Sequence, residues 1–522
     1  MNMKKLIAIA LCLAMLLSMT ACAKSAEPTQ TGAADAQGQA APVATAVRDT
    51  IKVALPKTVN EMTGSKGGLN AFNPMFQMYD MLVEMDENMN LVGKLATAWE
   101  MVDDLTWRFT LREGVKFHDG SDFTAEDAKA SIDRIVNMDP KYFYAANWVD
   151  AWPPAAEVES DYSILVKTPV INLKTPEMLS RVPMVPAEYI EDENFFSEKL
   201  IGTGAYKFVS WEAGVNIKME ANEDYWDGAP AVKYLQYDFV TDEAARLTAF
   251  QSGEYDVVFD LPYDSVASLT EKGYRVDVNE LIGISMVYFN PHSAEEGSPV
   301  ADARIREAMS YAIDSYGIVE SIMCGYANVV SGIASHQAKG ASVGEGLPHR
   351  DLEKAKQLMQ EAGYNNEEIR FFYVEGEFNN ALEICELIAA QLQEAGFNVK
   401  FTECEAGLWK SDYQGKTGWD ICVNNVPGTF SGDADYYWLH ALKNKIGWQS
   451  DAVDAFMSAA YAAETVEERE ANFKSAMDEA WKLWPYLWAT ECYGIYGVAN
   501  NLEGIQFIPL NLLYFRDAYY AG

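Results

Sequence analysis

Residues 232–260 of the sequence, VKYLQYDFVTDEAARLTAFQSGEYDVVFD, indicate the class of fold. VKYLQYDFV and DVVFD are rich in β-branched and aromatic residues, which favours strands, whereas residues 243–252 between them have helical apolar spacing. The alternation continues downstream, with strands expected at 284–290, 371–374 and 397–402 and helices at 302–314, 351–362 and 382–394. This order of elements predicts an α/β fold in which helices cover mixed sheets.

The sequence upstream of this stretch also contains strand patterns. IKVALP, at residues 51–56, predicts a first strand, and WRFTLR, at residues 107–112, alternates apolar and polar side chains as a half-buried strand does. Further strands are expected within residues 160–170 and from Ile201 to Val209. We find no internal repeat in the sequence.

The first 22 residues, MNMKKLIAIALCLAMLLSMTAC, have the organisation of a bacterial secretory signal. Two lysines precede an apolar core of 12 residues, Leu6 to Leu17, which is shorter than the roughly 20 residues needed to span a bilayer. Small residues lead directly to Cys22, as in the lipobox of bacterial lipoproteins. We therefore expect residues 1–22 to be a lipoprotein signal peptide and Cys22 to be lipidated; simple cleavage near Ala21 is the alternative.

Residues 23–47, AKSAEPTQTGAADAQGQAAPVATAV, contain almost no large apolar side chains. Such a segment cannot bury enough surface to offset its ordering entropy, so we expect a disordered tether. A flexible chain of this length spans roughly 25–30 Å. The downstream sequence has no apolar run of transmembrane length, so the sequence predicts an extracytoplasmic protein that is held at the membrane through Cys22.

The chain is strongly acidic, with 77 Asp and Glu against 40 Lys and Arg and a net charge of −37. This charge excludes a nucleic-acid-binding protein, because such proteins need a basic surface. It also disfavours adsorption to anionic lipid, which leaves lipidated Cys22 as the expected contact with the membrane. The acidity is compatible with a cationic ligand, but a solvated acidic surface is the simpler explanation.

The cysteines and histidines do not indicate a built-in metal site. The five cysteines downstream of Cys22 have no short metal-ligand spacing, and the five histidines are scattered. We therefore expect no metal and no cofactor. Because five is odd, at least one thiol must be free, and we expect buried single thiols.

Residues 116–127, KFHDGSDFTAED, could contain an acid–base pair in His118 and Asp119. The local pattern has a simpler explanation. Asp119-Gly120 is a turn dipeptide, and Thr124 with Asp127 three residues later forms a capping-box pattern at a helix start. We therefore expect His118 to hydrogen-bond locally and to fix the turn, and we do not place it in a functional site.

Several segments together resemble the solute-binding proteins of peptide/nickel ABC importers (family 5, dipeptide/oligopeptide-binding). They are LATAWEMVDDLTWRFTLREGVKFHDGSDFTAEDAKASIDRI, IGTGAYKFVSWEAG, NEDYWDGAPAVKYLQYDFVTDEAARLTAFQSGEYDVV, VYFNPHSAEEGSPVADARIREAMSYAIDSYGIVESIMCGYA, HRDLEKAKQLMQEAGY and ALEICELIAAQLQEAGFNVKF. The segments occur in the family's order and extend over roughly residues 50–515. One segment alone would be weak support, whereas the ordered set is specific.

The resemblance implies a bilobal periplasmic-binding-protein-like fold, the large three-domain variant of type II, with a hinge. Lobe I would comprise residues 48–75, 200–282 and 495–522, with an extra domain at 76–199, and lobe II would comprise 283–494. The chain would cross between the lobes near 282 and 495, in extended stretches beside Gly283 and Gly494.

The resemblance also implies the function. Such a protein is a monomeric receptor that captures a ligand by hinge closure and delivers it to an ABC permease, whose ATPase supplies the energy. It is not an enzyme. An oligopeptide is the first expected ligand, and an oligosaccharide or a metal chelate is the alternative.

The resemblance places the ligand near residues 419–438, WDICVNNVPGTFSGDADYYW. In peptide-binding relatives an acidic residue of this loop holds the α-amino group of the peptide. The ungapped alignment puts Ser431 there, so either a small gap restores Asp433 or Asp435, or this protein does not anchor an amine. The other candidate ligand-binding residues are mainly aromatic: Tyr436, Trp438, Trp409, Trp419 and Asn290.

Two other classes of function are alternatives to an import receptor. A secreted hydrolase would need a nucleophile with its base or a pair of carboxylates at catalytic separation, and the sequence has no Gly-x-Ser-x-Gly motif. A receptor that signals to a membrane partner without import would have the same fold, and the sequence does not separate it from an import receptor.

Overall fold

The computed structural model describes residues 48–59, 62, 71–136, 154–192, 194–426, 428 and 432–522. The expected signal peptide with Cys22, the expected tether and Ser431 lie outside the described residues. Arg48–Gly522 forms a compact unit. Among the helices that the structure describes, none combines the length and the apolar character needed to cross a bilayer.

The described residues form strands along most of the chain. They are β1 (Thr50–Leu55), β2 (Val83–Met85), β3 (Leu91–Gly93), β4 (Ala96–Asp103), β5 (Thr106–Leu111), β6 (Ala155–Ser160), β7 (Ser163–Lys167), β8 (Tyr206–Glu212), β9 (Asn216–Ala221), β10 (Tyr234–Phe239), β11 (Val257–Val258), β12 (Arg275–Phe289), β13 (Asn328–Val329), β14 (Glu368–Val374), β15 (Asn398–Cys404), β16 (Ile421–Val426), β17 (Tyr486–Val498), β18 (Leu502–Glu503), β19 (Gln506–Ile508), β20 (Leu512–Tyr514) and β21 (Tyr519–Tyr520).

Helices connect these strands. The α-helices are α1 (Phe72–Met78), α2 (Ala125–Val136), α3 (Thr175–Leu179), α4 (Glu243–Ser252), α5 (Ser265–Glu271), α6 (Ala303–Ala312), α7 (Ser315–Ile322), α8 (Leu352–Ala362), α9 (Ala381–Ala395), α10 (Ala406–Leu408), α11 (Asp451–Tyr461) and α12 (Val466–Trp481). Short 3₁₀ segments occupy Ala187–Tyr189, Pro291–Glu296 and Pro299–Ala301, and π-helical segments occupy Phe195–Lys199, Trp409–Tyr413 and Tyr437–Asn444.

Residues 232–260 fold as predicted, into β10, α4 and β11. The carboxylate of Asp242 accepts a hydrogen bond of 2.7 Å from the Ala245 N–H, which satisfies a free donor at the start of α4. Gly253 ends the helix with φ of 74°, a left-handed conformation that glycine adopts without steric cost. Local sequence therefore determines both ends of this helix.

The main sheet of the described residues has eleven strands and mixed pairing. The order is β15-β14-β16-β12-β17-β11-β1-β10-β9-β8, and β13 also pairs with β17. β1 is parallel to β10 and β11, and β14 is parallel to β15 and β16, whereas β12 is antiparallel to β16 and β17. The predicted α/β class with mixed sheets is confirmed.

The two longest strands, β12 and β17, connect the two halves of this sheet. Their register shifts between the pairs Glu280↔Tyr493 and Ile284↔Glu491, so β12 contains two residues more than β17 over this interval. Such a bulge bends the strand that carries the extra residues. Beyond the bulge, β12 pairs with β16, while the far end of β17 pairs with β11. The bulge therefore marks the change from one half of the sheet to the other.

A separate four-stranded sheet, in the order β4-β5-β7-β6, lies within residues 76–199, and α2 contacts it. At the start of α2, the Thr124 N–H and hydroxyl donate to the Asp127 carboxylate over 2.9 and 3.0 Å, which is one of the two reciprocal interactions of the predicted capping box. The interpretation of His118 was wrong in one respect. Its ring bonds to backbone 84 and 86 residues away, at Gly202 and Gly204, so it fixes a long-range contact and not its own turn.

The core of the described residues is continuous and apolar. Among the five cysteines in these residues no disulfide forms. Cys385, Cys404 and Cys422 are buried, as expected of single thiols, whereas Cys324 is exposed.

Candidate ligand-binding site

The candidate site lies where strands from both halves of the main sheet end. β1 and β11 run parallel in one half, so their carboxyl ends share an edge, and β14 and β16 do the same in the other half. In α/β sheets, ligands bind in the crevice outside the carboxyl ends of the strands. The polar side chains that follow these four strands are therefore the candidates for ligand contact.

A cavity of about 370 Å³ opens at this position. Its size lies near the lower end of the range for small-molecule sites. Residues that follow β1 and β11 meet residues that follow β14 and residues near the end of β16. The lining consists of Leu55, Pro56, Lys57, Asn73, Phe259, Asp260, Gly376, Glu377, Asn425, Leu510 and Asn511.

Asp260 is the most unusual residue of this lining. Its backbone is left-handed, with φ of 52°, which is uncommon for a residue other than glycine and costs free energy. The buried guanidinium of Arg246 donates to the carbonyl oxygens of Phe259 and Asp260 over 3.1 Å each, and so fixes this backbone. Burial raises the pKa of Asp260, and the charges of Arg246 and Lys57 oppose that rise.

Amide side chains form the polar floor of the cavity. Asn73 donates to the Asn511 carbonyl over 2.9 Å and accepts from the Leu513 N–H, and the Tyr496 hydroxyl donates to the Asn511 side chain over 2.5 Å. These bonds tie α1 to the loop before β20. The floor is therefore held rigidly before any ligand arrives.

A second polar cluster joins residues 174–177 to the segment after β16. The Lys174 ammonium lies 2.7 Å from Asp435 and 3.2 Å from Asp433, and the Tyr461 hydroxyl donates to Asp435 over 2.8 Å. Arg469 lies 3.8 Å from both Asp433 and Glu177. All the charged side chains of this cluster are buried.

Burial and the neighbouring charges shift the pKa values of Lys174 and Glu177 in this second cluster. Burial by itself would lower the pKa of Lys174. The nearby carboxylates of Asp435 and Asp433 outweigh this effect and raise the pKa above its usual value. Burial and the Asp433 charge both raise the pKa of Glu177, which favours its neutral form. Two cations are thus surrounded by two carboxylates and a third carboxyl group, Glu177, whose pKa is raised.

Residues 90–448, more than half of the chain, match the sequence model of the bacterial extracellular solute-binding proteins, family 5. The chain belongs to this family. Its similarity to individual members is distant. It is 26% identical over 462 residues to the glutathione-binding protein GsiB of Salmonella typhi, which covers 84% of this chain and 88% of GsiB.

Solved structures share the fold of this family 5 protein. The ABC transporter substrate-binding protein CtaP of Listeria monocytogenes superposes with a TM-score of 0.81 at 18% identity, over 91% of this chain and all of CtaP. The oligopeptide-binding protein AppA of Bacillus subtilis, solved with a nonapeptide, superposes with a TM-score of 0.76 at 20% identity, over 91% of this chain and all of AppA. These likenesses show the bilobal binding-protein fold that the sequence predicted.

The structure brings together part of the predicted site of this family 5 protein. Asp433 and Asp435 lie side by side in the buried Lys174 cluster. Tyr436 is buried and stacks on His440, with ring centroids 4.7 Å apart, and Trp438 is fully buried. Ser431 is outside the described residues.

The remaining predicted residues lie at the opposite end of β16. Trp409 and Trp419 pack edge to face, with centroids 4.9 Å apart, and both are buried. Asn290 donates to the carbonyl oxygens of Lys416 and Trp419 over 2.9 and 2.8 Å. The four residue steps of β16 from Ile421 to Asn425 separate this group from the cavity by about 13 Å, because a strand rises about 3.3 Å per residue. Trp409, Trp419 and Asn290 therefore support the fold at some distance from the cavity.

Sequence reasoning missed the charged residues of the cavity, Lys57, Asp260 and Glu377. A signal was present, because the sequence predicted strands ending near residues 56, 260 and 374, and polar residues directly after strands are candidates by the crevice rule. What the sequence did not reveal is which strand ends meet. Within the described residues, no group of three or more acidic, histidine or cysteine side chains is arranged to hold a metal ion.

Proposed function

We propose that this protein captures a peptide or a similar small solute between two lobes and delivers it to an ABC-type permease. The observation that carries the proposal is the cavity, which is lined by residues from both halves of the main sheet. A ligand in this cavity touches both halves at once. Membership of the family supports the delivery role.

The proposed lobes follow the limits expected from the sequence: residues 48–75, 200–282 and 495–522 for lobe I, 76–199 for its extra domain and 283–494 for lobe II. The bulge of β12 between Glu280 and Ile284 supports a hinge at this position, because both long strands change pairing partners there. The ligand stabilises the closed state because it contacts both lobes only when they are closed. The permease then recognises the closed form.

We further propose that the protein is a monomeric lipoprotein outside the cytoplasm, anchored through Cys22. The anchor is tested by metabolic labelling with a tritiated fatty acid. The wild type is expected to carry the label and to sediment with membranes, and Cys22→Ser is expected to lose the label and to enter the soluble fraction. Label that persists in Cys22→Ser would exclude this anchor.

Uptake and binding measurements test the receptor function itself. Cells that lack the protein should lose uptake of a labelled tripeptide mixture, and the plasmid-borne gene should restore it. In vitro, bound peptides should raise the melting temperature of the purified protein, as linkage requires, and should be recovered without cleavage. Cleaved peptides would favour the hydrolase alternative, and unchanged uptake with no thermal shift would exclude a peptide receptor.

A further inference from the structure

The cavity contains three charged side chains that form no ion pair at salt-bridge distance among the described residues, although Arg246 and Lys57 act on Asp260, and Lys445 on Glu377, from further away. Lys57 and Asp260 come from one half of the main sheet and Glu377 comes from the other. Two carboxylates and one ammonium that face the same polar space are suited to a ligand that brings its own charges.

The other acidic pair near the crevice is already satisfied from within the chain. The Lys174 ammonium contacts Asp433 and Asp435 at 3.2 and 2.7 Å, and all three side chains are buried. A ligand ammonium could bind these carboxylates only by displacing Lys174, whose buried ammonium would then lose its two carboxylate partners, which is costly. The structure therefore assigns these carboxylates to Lys174.

We propose that the ligand carries a primary ammonium group that binds in the cavity against Asp260 and Glu377, whereas Lys174 excludes it from Asp433 and Asp435. This inference rests on the proposed function and specifies the class of ligand. Lys57, which is exposed beside the cavity, then faces the carboxylate of an amino-acid-like ligand. The side chain of Asn425 supplies a hydrogen-bonding amide on the wall that belongs to the second half of the sheet.

The position of Asp260 is fixed before the ligand binds. Arg246 holds the carbonyl groups of Phe259 and Asp260, and the left-handed backbone of Asp260 sets the direction of its side chain. A carboxylate held in this way loses little freedom when it binds an ammonium group. Glu377 follows β14 in the opposite half of the sheet, so an ammonium group that contacts both carboxylates links the two halves.

The test compares free-amine peptides with N-acetylated peptides. A mixture of di- to pentapeptides, and the same mixture after N-acetylation, is equilibrated with the purified protein, and bound peptides are identified by mass spectrometry. The tightest binder is then titrated calorimetrically in both forms. The variants are Asp260→Asn, which keeps a residue type that tolerates a left-handed backbone, Glu377→Gln, and the exposed control Glu254→Gln.

The expected result is that acetylation and Asp260→Asn each weaken binding of the free-amine peptide by about 10- to 100-fold, the range for a hydrogen bond to a charged group. Glu377→Gln should also weaken binding of the free-amine peptide, whereas Glu254→Gln should leave this binding unchanged. Asp260→Asn should not alter affinity for the acetylated peptide, which separates loss of the charge from a change of structure.

Two results would overturn the inference while the receptor function stands: equal affinity for the free and acetylated peptide, or equal weakening of both by Asp260→Asn. If neither mixture binds, the peptide receptor itself is excluded and the inference fails with it.

Discussion

The side-chain ammonium of Lys174 lies 2.7 Å from a carboxylate oxygen of Asp435, although 261 residues separate the two in the chain. The contact joins a residue of the proposed extra domain to a residue of proposed lobe II. Both side chains are buried, so removing either one leaves the other as a buried charge without its partner.

Lys174→Met should destabilise the protein strongly, because it leaves Asp433 and Asp435 buried without their cation. Breaking a buried ion pair from one side costs about 3–5 kcal/mol. Urea denaturation measures the free energy of unfolding, with Lys400→Met, at an exposed position of β15, as the control. A similar small loss for both variants would contradict the assignment of Lys174.

The double variant Lys174→Met/Asp435→Asn should lose less than the sum of the two single variants. The second change removes one of the carboxylates that the first leaves without a cation, so the two effects are coupled. Strict additivity of the three measured free energies would show that Lys174 and Asp435 do not interact.

His118 should make stability depend on pH in the acidic range. Burial lowers the pKa of its ring to about 4, while its backbone bond to Gly204 opposes this shift only in part. The unfolded chain, with an ordinary histidine pKa near 6.5, therefore binds more protons between about pH 6.5 and 4. The stabilisation is complete above that range and is lost progressively as the pH falls through it.

The measurement compares wild type with His118→Asn by urea denaturation at pH 7, 5.5 and 4. Each pKa unit corresponds to about 1.4 kcal/mol, so His118 alone accounts for up to about 3 kcal/mol of the loss. The carboxylates titrate in both proteins and cancel in the comparison. His440 is a second histidine of this kind, because burial lowers its pKa to about 4. Parallel curves for the two proteins would contradict the prediction.

Gly428→Ala should distort the crossing between the two halves of the main sheet. The backbone of Gly428 has φ of 97°, and an added Cβ would overlap Cγ2 of Ile282 and come within 3.2 Å of its carbonyl carbon. We expect a loss of about 2–4 kcal/mol, from backbone strain together with overpacking.

Gly363→Ala is the matched control for this prediction, because its φ is 77° and an added Cβ would meet nothing within 4 Å. It should lose about 1 kcal/mol from the backbone alone. Equal melting temperatures for the two variants would show that the contact with Ile282 is unimportant.

Cys324 should be the reactive thiol among the five described cysteines. It is exposed, whereas Cys385, Cys404 and Cys422 are buried, and burial raises the pKa of Cys385 and Cys422. Brief treatment with iodoacetamide followed by peptide mapping should find alkylation at Cys324, and all five sites should react after unfolding in guanidinium. Rapid labelling of Cys422 in the native protein would contradict the packing around β16.

The sequence determined the features that depend on neighbours in the chain. The strand–helix–strand pattern of residues 232–260, the ends of α4 at Asp242 and Gly253, and the Thr124–Asp127 contact of the capping box need only local hydrogen bonds and apolar spacing, and the structure confirms them. The family motifs, found in the family's order, also determined the class of fold, because each motif is a local pattern of strand, helix and turn residues.

Tertiary structure decided which of the candidate residues meet. Trp409 and Trp419 are close to Asp433 in sequence, but the extended length of β16 places them at the opposite end of the strand. Lys57, Asp260 and Glu377 are distant in sequence, and the pairing of β1, β11 and β14 within one sheet brings them to the same cavity. Strand order is set by packing across the whole sheet, so local patterns reveal that a polar residue follows a strand but not which strand lies beside it.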